Sequence, residues 1–239
     1  MTKKKSDPIK VLKDIFAEIE EETKEKTGDD AFHWMNHYNT WIDVIGSITN
    51  SISNEESGNS MLVLRLLELQ KTLSWIQLSA LYGAYRPLIR ELRFTLESFL
   101  QAYYLETEYP SQTIEYKHDI LLADEKKLYG GSLINKINIE SKEKIRVLYQ
   151  NLSKYQHGSY TELKTTILDG NVAERGIGDF DKELFDECMS LTNRVMDIAF
   201  YLILDKYHNA ISKFKNDMTI YWLKELDSPM TLKLLLDYS

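Results

Sequence analysis

Two short stretches hold most of the side chains able to do chemistry. Arg90-Glu91-Leu92-Arg93-Phe94-Thr95-Leu96-Glu97-Ser98 lays charge along an otherwise apolar helix. Leu152-Ser153-Lys154-Tyr155-Gln156-His157-Gly158-Ser159 ends a helix on a histidine, with a hydroxyl one turn back. Polar stripes in apolar helices cost desolvation free energy unless they are paired or used. On a helical wheel Arg86, Arg90, Arg93, Glu97 and Gln101 form one narrow stripe. Leu88, Leu92, Leu96, Phe99 and Tyr103 occupy another side, and Phe94 and Leu105 a third. Two readings fit the stripe. It is an ordinary exposed face with an Arg93–Glu97 pair, in the weaker order for a helix and worth a few tenths of a kcal/mol. Alternatively it faces another helix or a cleft, where Glu97 orients Arg93 and the arginines meet an anion.

A second stripe reads Arg146, Gln150, Ser153, His157. A histidine can take or give a proton near neutral pH, and a hydroxyl one turn away can share it. Packed against the Arg93 helix, this pair suits a phosphodiester: arginine stabilises the phosphorane charge, and histidine acts as base or acid. The candidate catalytic set is therefore His157, Arg93, Glu97 and Ser153, with Arg86, Arg90, Asn151 and Lys154 as candidate binding residues. A histidine near a helix C-terminus is also explained by the macrodipole alone.

Other candidates are weaker. His33 and His37 stand four apart with Asp29 one turn earlier, a spacing that can hold zinc. No cysteine ligand is near and no glutamate sits between them in the zinc-protease position, so they read as the edge of an aromatic cluster with Trp34, Tyr38 and Trp41. Gly170 and Arg175-Gly176-Ile177-Gly178 lack phosphate-loop spacing and a following lysine. Cys188, the single cysteine, has apolar helix neighbours and reads as a buried small hydrophobe in a reducing compartment. No metal and no cofactor is expected.

The elements that position these residues are helical. With 10 glycines and 4 prolines the chain has little punctuation, and no strand alternation stands out. Ser6-Asp7-Pro8 opens a helix that ends before Gly28, and Asp29 or Asp30 caps a second. After a polar loop from Asn54 to Ser60, a helical region runs from Met61 to about Glu108, with a kink or short break near Gly83 and Pro87. Further helices are expected from Thr113 to Leu128, closed by Gly130-Gly131, and from Glu140 to His157, capped by Gly158. Asp169 to Phe180 reads as a glycine-rich loop. A long helix then covers Asp181 to about Phe214, and two short ones, Thr219 to Leu226 and after Pro229, follow. The fold class is all-α: one domain over 1–239, its core at about 61–213, with helical extensions at 7–53 and 216–238.

Bulk properties narrow the function. A net charge of −8 argues against a protein that coats nucleic acid through a broad basic face, but not against a local basic pocket. No apolar h-region follows Lys3-Lys4-Lys5, and the run from Ala199 to Leu204 is too short to span a bilayer. A soluble cytoplasmic protein is expected.

The segments Arg86-Pro87-Leu88-Ile89-Arg90-Glu91-Leu92-Arg93-Phe94-Thr95-Leu96-Glu97-Ser98 and Leu148-Tyr149-Gln150-Asn151-Leu152-Ser153-Lys154-Tyr155-Gln156-His157-Gly158-Ser159 together resemble the HEPN-like helical proteins. The closest pattern is an Arg-x-x-x-Glu helix followed by a Leu-Ser-x-x-x-His helix. The resemblance spans roughly Thr72 to Tyr160, and by layout the helix from Asp181. It implies a helical bundle, a homodimer, and a place among toxins, phage-defence factors and RNA-processing proteins, whose active members are metal-independent endoribonucleases. One departure matters: the family's nuclease motif sets an arginine on the histidine's own helix, whereas Gln150, Asn151 and Leu152 stand there. Arg93 from the neighbouring helix is the substitute.

Three functions remain. The first is an endoribonuclease acting through His157 and Arg93. The second is a catalytically silent module binding RNA, a nucleotide or a cognate protein, which the missing arginine favours. The third is a helical scaffold, with the amphipathic N-terminal helix and the C-terminal helix bearing Leu232, Leu235 and Leu236 as docking elements.

Overall fold

Helical periodicity with little Gly or Pro leaves the chain one way to satisfy its backbone, and the described residues are helical with no strand. The computed structural model describes residues 8–52, 58–155 and 181–238. In chain order the helices are α1 (Pro8–Thr27), α2 (Asp29–Ser51), α3 (Met61–Leu81), α4 (Tyr85–Glu108), α5 (Ile114–Ala123), α6 (Gly130–Lys136), α7 (Lys142–Lys154), α8 (Lys182–Lys206), α9 (His208–Phe214), α10 (Asp217–Glu225) and α11 (Pro229–Asp237). His157, Gly158 and the glycine-rich loop Asp169–Phe180 lie outside the described residues.

Helix α4 is the axis of the molecule, packed between α3 and α8. Its Leu88, Leu92, Leu96, Phe99 and Tyr103 are buried, as the wheel requires. They meet Leu66, Leu69, Leu73 and Ile76 of α3 and Val195, Ala199, Phe200 and Ile203 of α8 in one apolar core. The same core takes Trp34, Trp41, Ile45 and Ile48 from α2 and Leu223, Leu226 and Leu235 from the C-terminal helices. Cys188 is buried there, and desolvation pushes its thiol far up. No helix among the described residues is long and apolar enough to cross a membrane.

Several boundaries differ from the sequence reading, each for a local reason. Gly28, not an aspartate, stands at the start of α2, with φ +51° and no side-chain cap. The break between α3 and α4 falls at Tyr82-Gly83-Ala84, with Gly83 at φ +65°. Pro87 sits in the first turn of α4, where its missing N–H has no intrahelical partner to lose. Thr113 caps α5 by accepting from the Tyr116 N–H, but the helix ends at Ala123 and a short 3₁₀ turn, Glu125–Lys127, follows. Gly130 opens α6 rather than closing a helix. The expected helix from Asp181 to Phe214 breaks at Tyr207, whose hydroxyl hydrogen-bonds Ser60. Asn216 and Thr219 form a reciprocal capping box that starts α10 at Asp217.

The C-terminal helix is docked inside the molecule. The buried Asp197 carboxylate of α8 accepts from the Met230 and Thr231 N–H groups, both at 2.9 Å, and from the Thr231 hydroxyl at 2.8 Å. It therefore caps α11 from another helix. Leu235 is buried, and Leu236 is left exposed.

Candidate functional site

Positions 93 and 97 stack one turn apart on α4, at the level where α6 and α7 begin to cover its outward side. Toward the N-terminus Arg86 and Arg90 of the stripe are exposed, and from Arg93 onward the stripe is covered, while Phe94 on a different side of the helix is exposed. Gln101, one turn beyond Glu97, donates from Nε2 to the Leu128 carbonyl at 3.0 Å, which ties the segment before α6 to α4. Leu128, Leu133 and Ile134 anchor that segment in the core, and Ile145, Leu148 and Leu152 anchor α7. This framework brings Tyr129 and Tyr149 onto the stripe.

The result is a four-residue cage. Arg93 Nη2 donates to the Tyr149 hydroxyl at 2.6 Å and to the Tyr129 hydroxyl at 3.0 Å. The Tyr149 hydroxyl in turn donates to Glu97 Oε1 at 2.6 Å. The direct Arg93–Glu97 separation is 3.6 Å, an ion pair too long for a hydrogen bond, so Tyr149 bridges the two charges. The guanidinium carbon lies 4.9 Å from the Tyr149 ring centre and 5.6 Å from that of Tyr129, a cation–π geometry on both sides. Burial raises the Glu97 carboxyl above its ordinary range, and the Tyr149 hydrogen bond and the Arg93 charge pull it partly back. Burial, reinforced by the Glu97 hydrogen bond, pushes the Tyr149 phenol up to about 12. Tyr149 thus holds its proton at neutral pH and stands as a neutral bridge between the two charges.

Gly130 makes the cage possible. Its backbone sits at φ +56°, and a Cβ there would lie 2.9 Å from the Tyr149 hydroxyl. Only glycine takes this conformation without strain and lets the phenol approach so closely.

The cage leaves Arg93 incompletely used. Arg93 is 5 % exposed, yet its Nε and Nη1 meet no acceptor among the described residues. A buried donor without a partner costs about 1–3 kcal/mol. Tyr129, 45 % exposed, is the cage member that reaches solvent.

The structure brings only part of the candidate set together. Arg93 and Glu97 share the cage. Arg90 and Arg86 stand exposed one and two turns before it on α4. Ser153 gives its hydroxyl to the Tyr149 carbonyl of its own helix at 2.7 Å, and Lys154 reaches Asn151 Oδ1 at 3.3 Å. None of these three hydrogen-bonds into the cage, because α7 points Tyr149 there instead. Arg146 pairs with Glu143 and with Asn135 Oδ1. His157 lies outside the described residues. His37 packs edge-on to Trp41, ring centres 6.2 Å apart, and burial with the neighbouring His33 lowers its pKa. No group of three or more His, Cys, Asp and Glu among the described residues is placed to share a metal ion.

Sequence reasoning missed Tyr129 and Tyr149. A signal existed: a buried arginine prefers aromatic faces, and tyrosine precedes the Gly130-Gly131 pair. No protein-family model, no curated protein and no solved structure matches this chain.

Proposed function

We propose that this chain is a catalytically silent, HEPN-like module that binds a phosphate of RNA or of a nucleotide at the Arg93 face. The observation that carries the reading is the pair of acceptorless donors, Nε and Nη1, on a guanidinium whose other nitrogen is clamped by two phenols. The Nε–H shares one bidentate edge of the guanidinium fork with Nη2, so an oxyanion that displaces the Tyr129 hydroxyl from Nη2 meets both. A phosphate oxygen replaces the Tyr129 hydroxyl on the solvent side, and the exposed Arg90 and Arg86 extend the positive charge along α4. Catalytic silence is supported by Ser153, whose hydroxyl is committed to its own helix.

The experiment is incubation of a mixed RNA pool with purified protein in EDTA, reading binding and cleavage together for wild type, Arg93→Lys and His157→Ala. The expected result is binding without cleavage, weakened at least tenfold in Arg93→Lys. Cleavage abolished in both variants would make the protein a metal-independent endoribonuclease instead. A second reading rests on the burial of Arg93: the cage only pins α6 and α7 to α4. In that case Arg93→Lys destabilises the fold and no RNA or nucleotide binds.

A further inference from the structure

We propose that a groove between α8 and the α10–α11 turn binds a free α-amino acid as its zwitterion. Asp186, Met189, Ser190, Asn193 and Arg194 recur at helical spacing on one face of α8, and Asp227 closes the groove from the turn. The groove holds about 330 Å³, at the small end of the roughly 300–1,000 Å³ that ligand pockets span, so it suits a metabolite of a few heavy atoms rather than a chain. The fold fixes the turn against α8. Asp197, one turn beyond Asn193, accepts from the Met230 and Thr231 N–H groups at the start of α11, both at 2.9 Å. Asn193 Oδ1 is buried and meets no donor among the described residues. A buried acceptor without a partner destabilises the empty protein, and a ligand donor that reaches it recovers that loss. The amide turns about a broad terminal torsion, which brings its oxygen to the groove wall.

Asp227 is the residue whose presence the fold does not explain. Its N–H donates to the Lys224 carbonyl at 3.2 Å and the Ser228 N–H to the Leu223 carbonyl at 2.9 Å, which closes α10 with a Schellman motif. The left-handed position of that motif favours glycine. An aspartate stands there instead, at φ +48°, the one non-glycine residue of positive φ among the described residues. Its carboxylate brings no compensation, having no hydrogen bond and no ion pair among the described residues. The α11 N–H groups that a carboxylate could cap are already taken by Asp197. Strain held without a structural return marks a functional position. Arg194 is exposed and also forms no ion pair among the described residues, whereas Asp186 is held by Lys182 at 2.9 Å. The groove therefore offers one uncommitted carboxylate with an amide oxygen, and one uncommitted guanidinium. A simple anion would be repelled by Asp227 and a simple cation by Arg194; a molecule carrying both charges satisfies both. The ligand ammonium meets Asp227 and Asn193 Oδ1, its carboxylate meets Arg194, and its side chain lies along Met189. The groove shares no residue with the Arg93 cage, and the assignment does not depend on RNA or nucleotide binding there.

The test is isothermal titration calorimetry of the full chain with each common L-amino acid up to millimolar concentration, for wild type, Asp227→Gly, Arg194→Met and Asn193→Leu. At least one amino acid is expected to bind wild type saturably. Its N-acetyl and methyl-ester forms, each missing one charge, bind at least tenfold more weakly. All three variants bind the free amino acid at least tenfold more weakly than wild type. Asp227→Gly unfolds on heating no earlier than wild type, because glycine relieves the left-handed residue, so its loss of binding is not a loss of fold. Wild type that binds no amino acid, or an N-acetyl or ester form that binds as tightly as the free one, overturns the proposal. So does an Asp227→Gly variant that keeps wild-type affinity, or that loses stability along with binding.

Discussion

Helix α4 carries two buried ionic clusters built on different principles. Near its C-terminus Glu106 accepts from Lys117 Nζ of α5 at 2.9 Å through one oxygen and from the Met61 N–H at 2.7 Å through the other. Lys117, wholly buried, also donates to the Asn59 carbonyl at 2.9 Å. Every buried side-chain nitrogen and oxygen of that cluster has a partner, and it fastens the start of α3 and the body of α5 to α4. The Arg93 cage near the middle of the helix also buries its two charges, though Tyr129 reaches solvent, and leaves two guanidinium nitrogens without acceptors among the described residues. Burial of charge therefore does not distinguish a site from a fastener; unspent hydrogen-bonding capacity does.

The largest expected effect breaks the fastener. Lys117→Met leaves Glu106 buried without its cation and should cost about 3–5 kcal/mol in denaturant unfolding. Arg93→Met should cost less, about 1–3 kcal/mol, because the Tyr149 hydroxyl still donates to the Glu97 carboxylate it abandons. Equal losses for the two variants would make the cage a second fastener and remove the contrast.

Gly130→Ala comes next. The positive φ alone costs about 1–2 kcal/mol, and the new methyl strikes the Tyr149 hydroxyl. In a Tyr149→Phe background the steric part should vanish, so a double-mutant cycle should show the two substitutions to be non-additive.

A smaller effect is pH-dependent. Because the folded Glu97 carboxyl titrates above its ordinary value of 4.5, the folded state binds more proton than the unfolded state in the window above 4.5. Its contribution to stability therefore rises as pH falls through that window. Unfolding free energies of wild type and Glu97→Gln, compared from neutral pH down to 4.5, should differ progressively in favour of wild type. A difference independent of pH would place Glu97 in an ordinary environment. The smallest stability change belongs to Tyr129→Phe, within about 1 kcal/mol for a hydrogen bond open to solvent. Removing the hydroxyl that a phosphate oxygen must replace should nonetheless tighten RNA binding in an anisotropy titration.

Much of the architecture was legible in periodicity. The all-α class, the break at Gly83, the helix start near Thr113 and the inner face of α4 follow from apolar spacing and punctuation. What failed were features decided by distant partners. Tyr207 interrupts a helix whose pattern runs on, because its hydroxyl finds Ser60 on another element. Gly130 looks like a stop signal but serves the approach of Tyr149, nineteen positions later in a different helix. Phe94, on a third side of α4, is 58 % exposed because α6 and α7 cover the Arg93–Glu97 stripe and not that side. Of the candidate site, the Arg93–Glu97 relation was visible as a spacing on one helix. The tyrosines that complete it were not, since no local pattern links α4 to α6 and α7.

The most direct measurement is the Arg93 Nε–H resonance in a ¹⁵N-labelled sample, assigned by its loss in Arg93→Lys and followed as a short mixed-sequence RNA is added in EDTA. A saturable downfield shift of that resonance, with the RNA intact at the end, is the result the account requires. An Nε–H signal that does not move while RNA binds elsewhere, or in the absence of any binding, would contradict it.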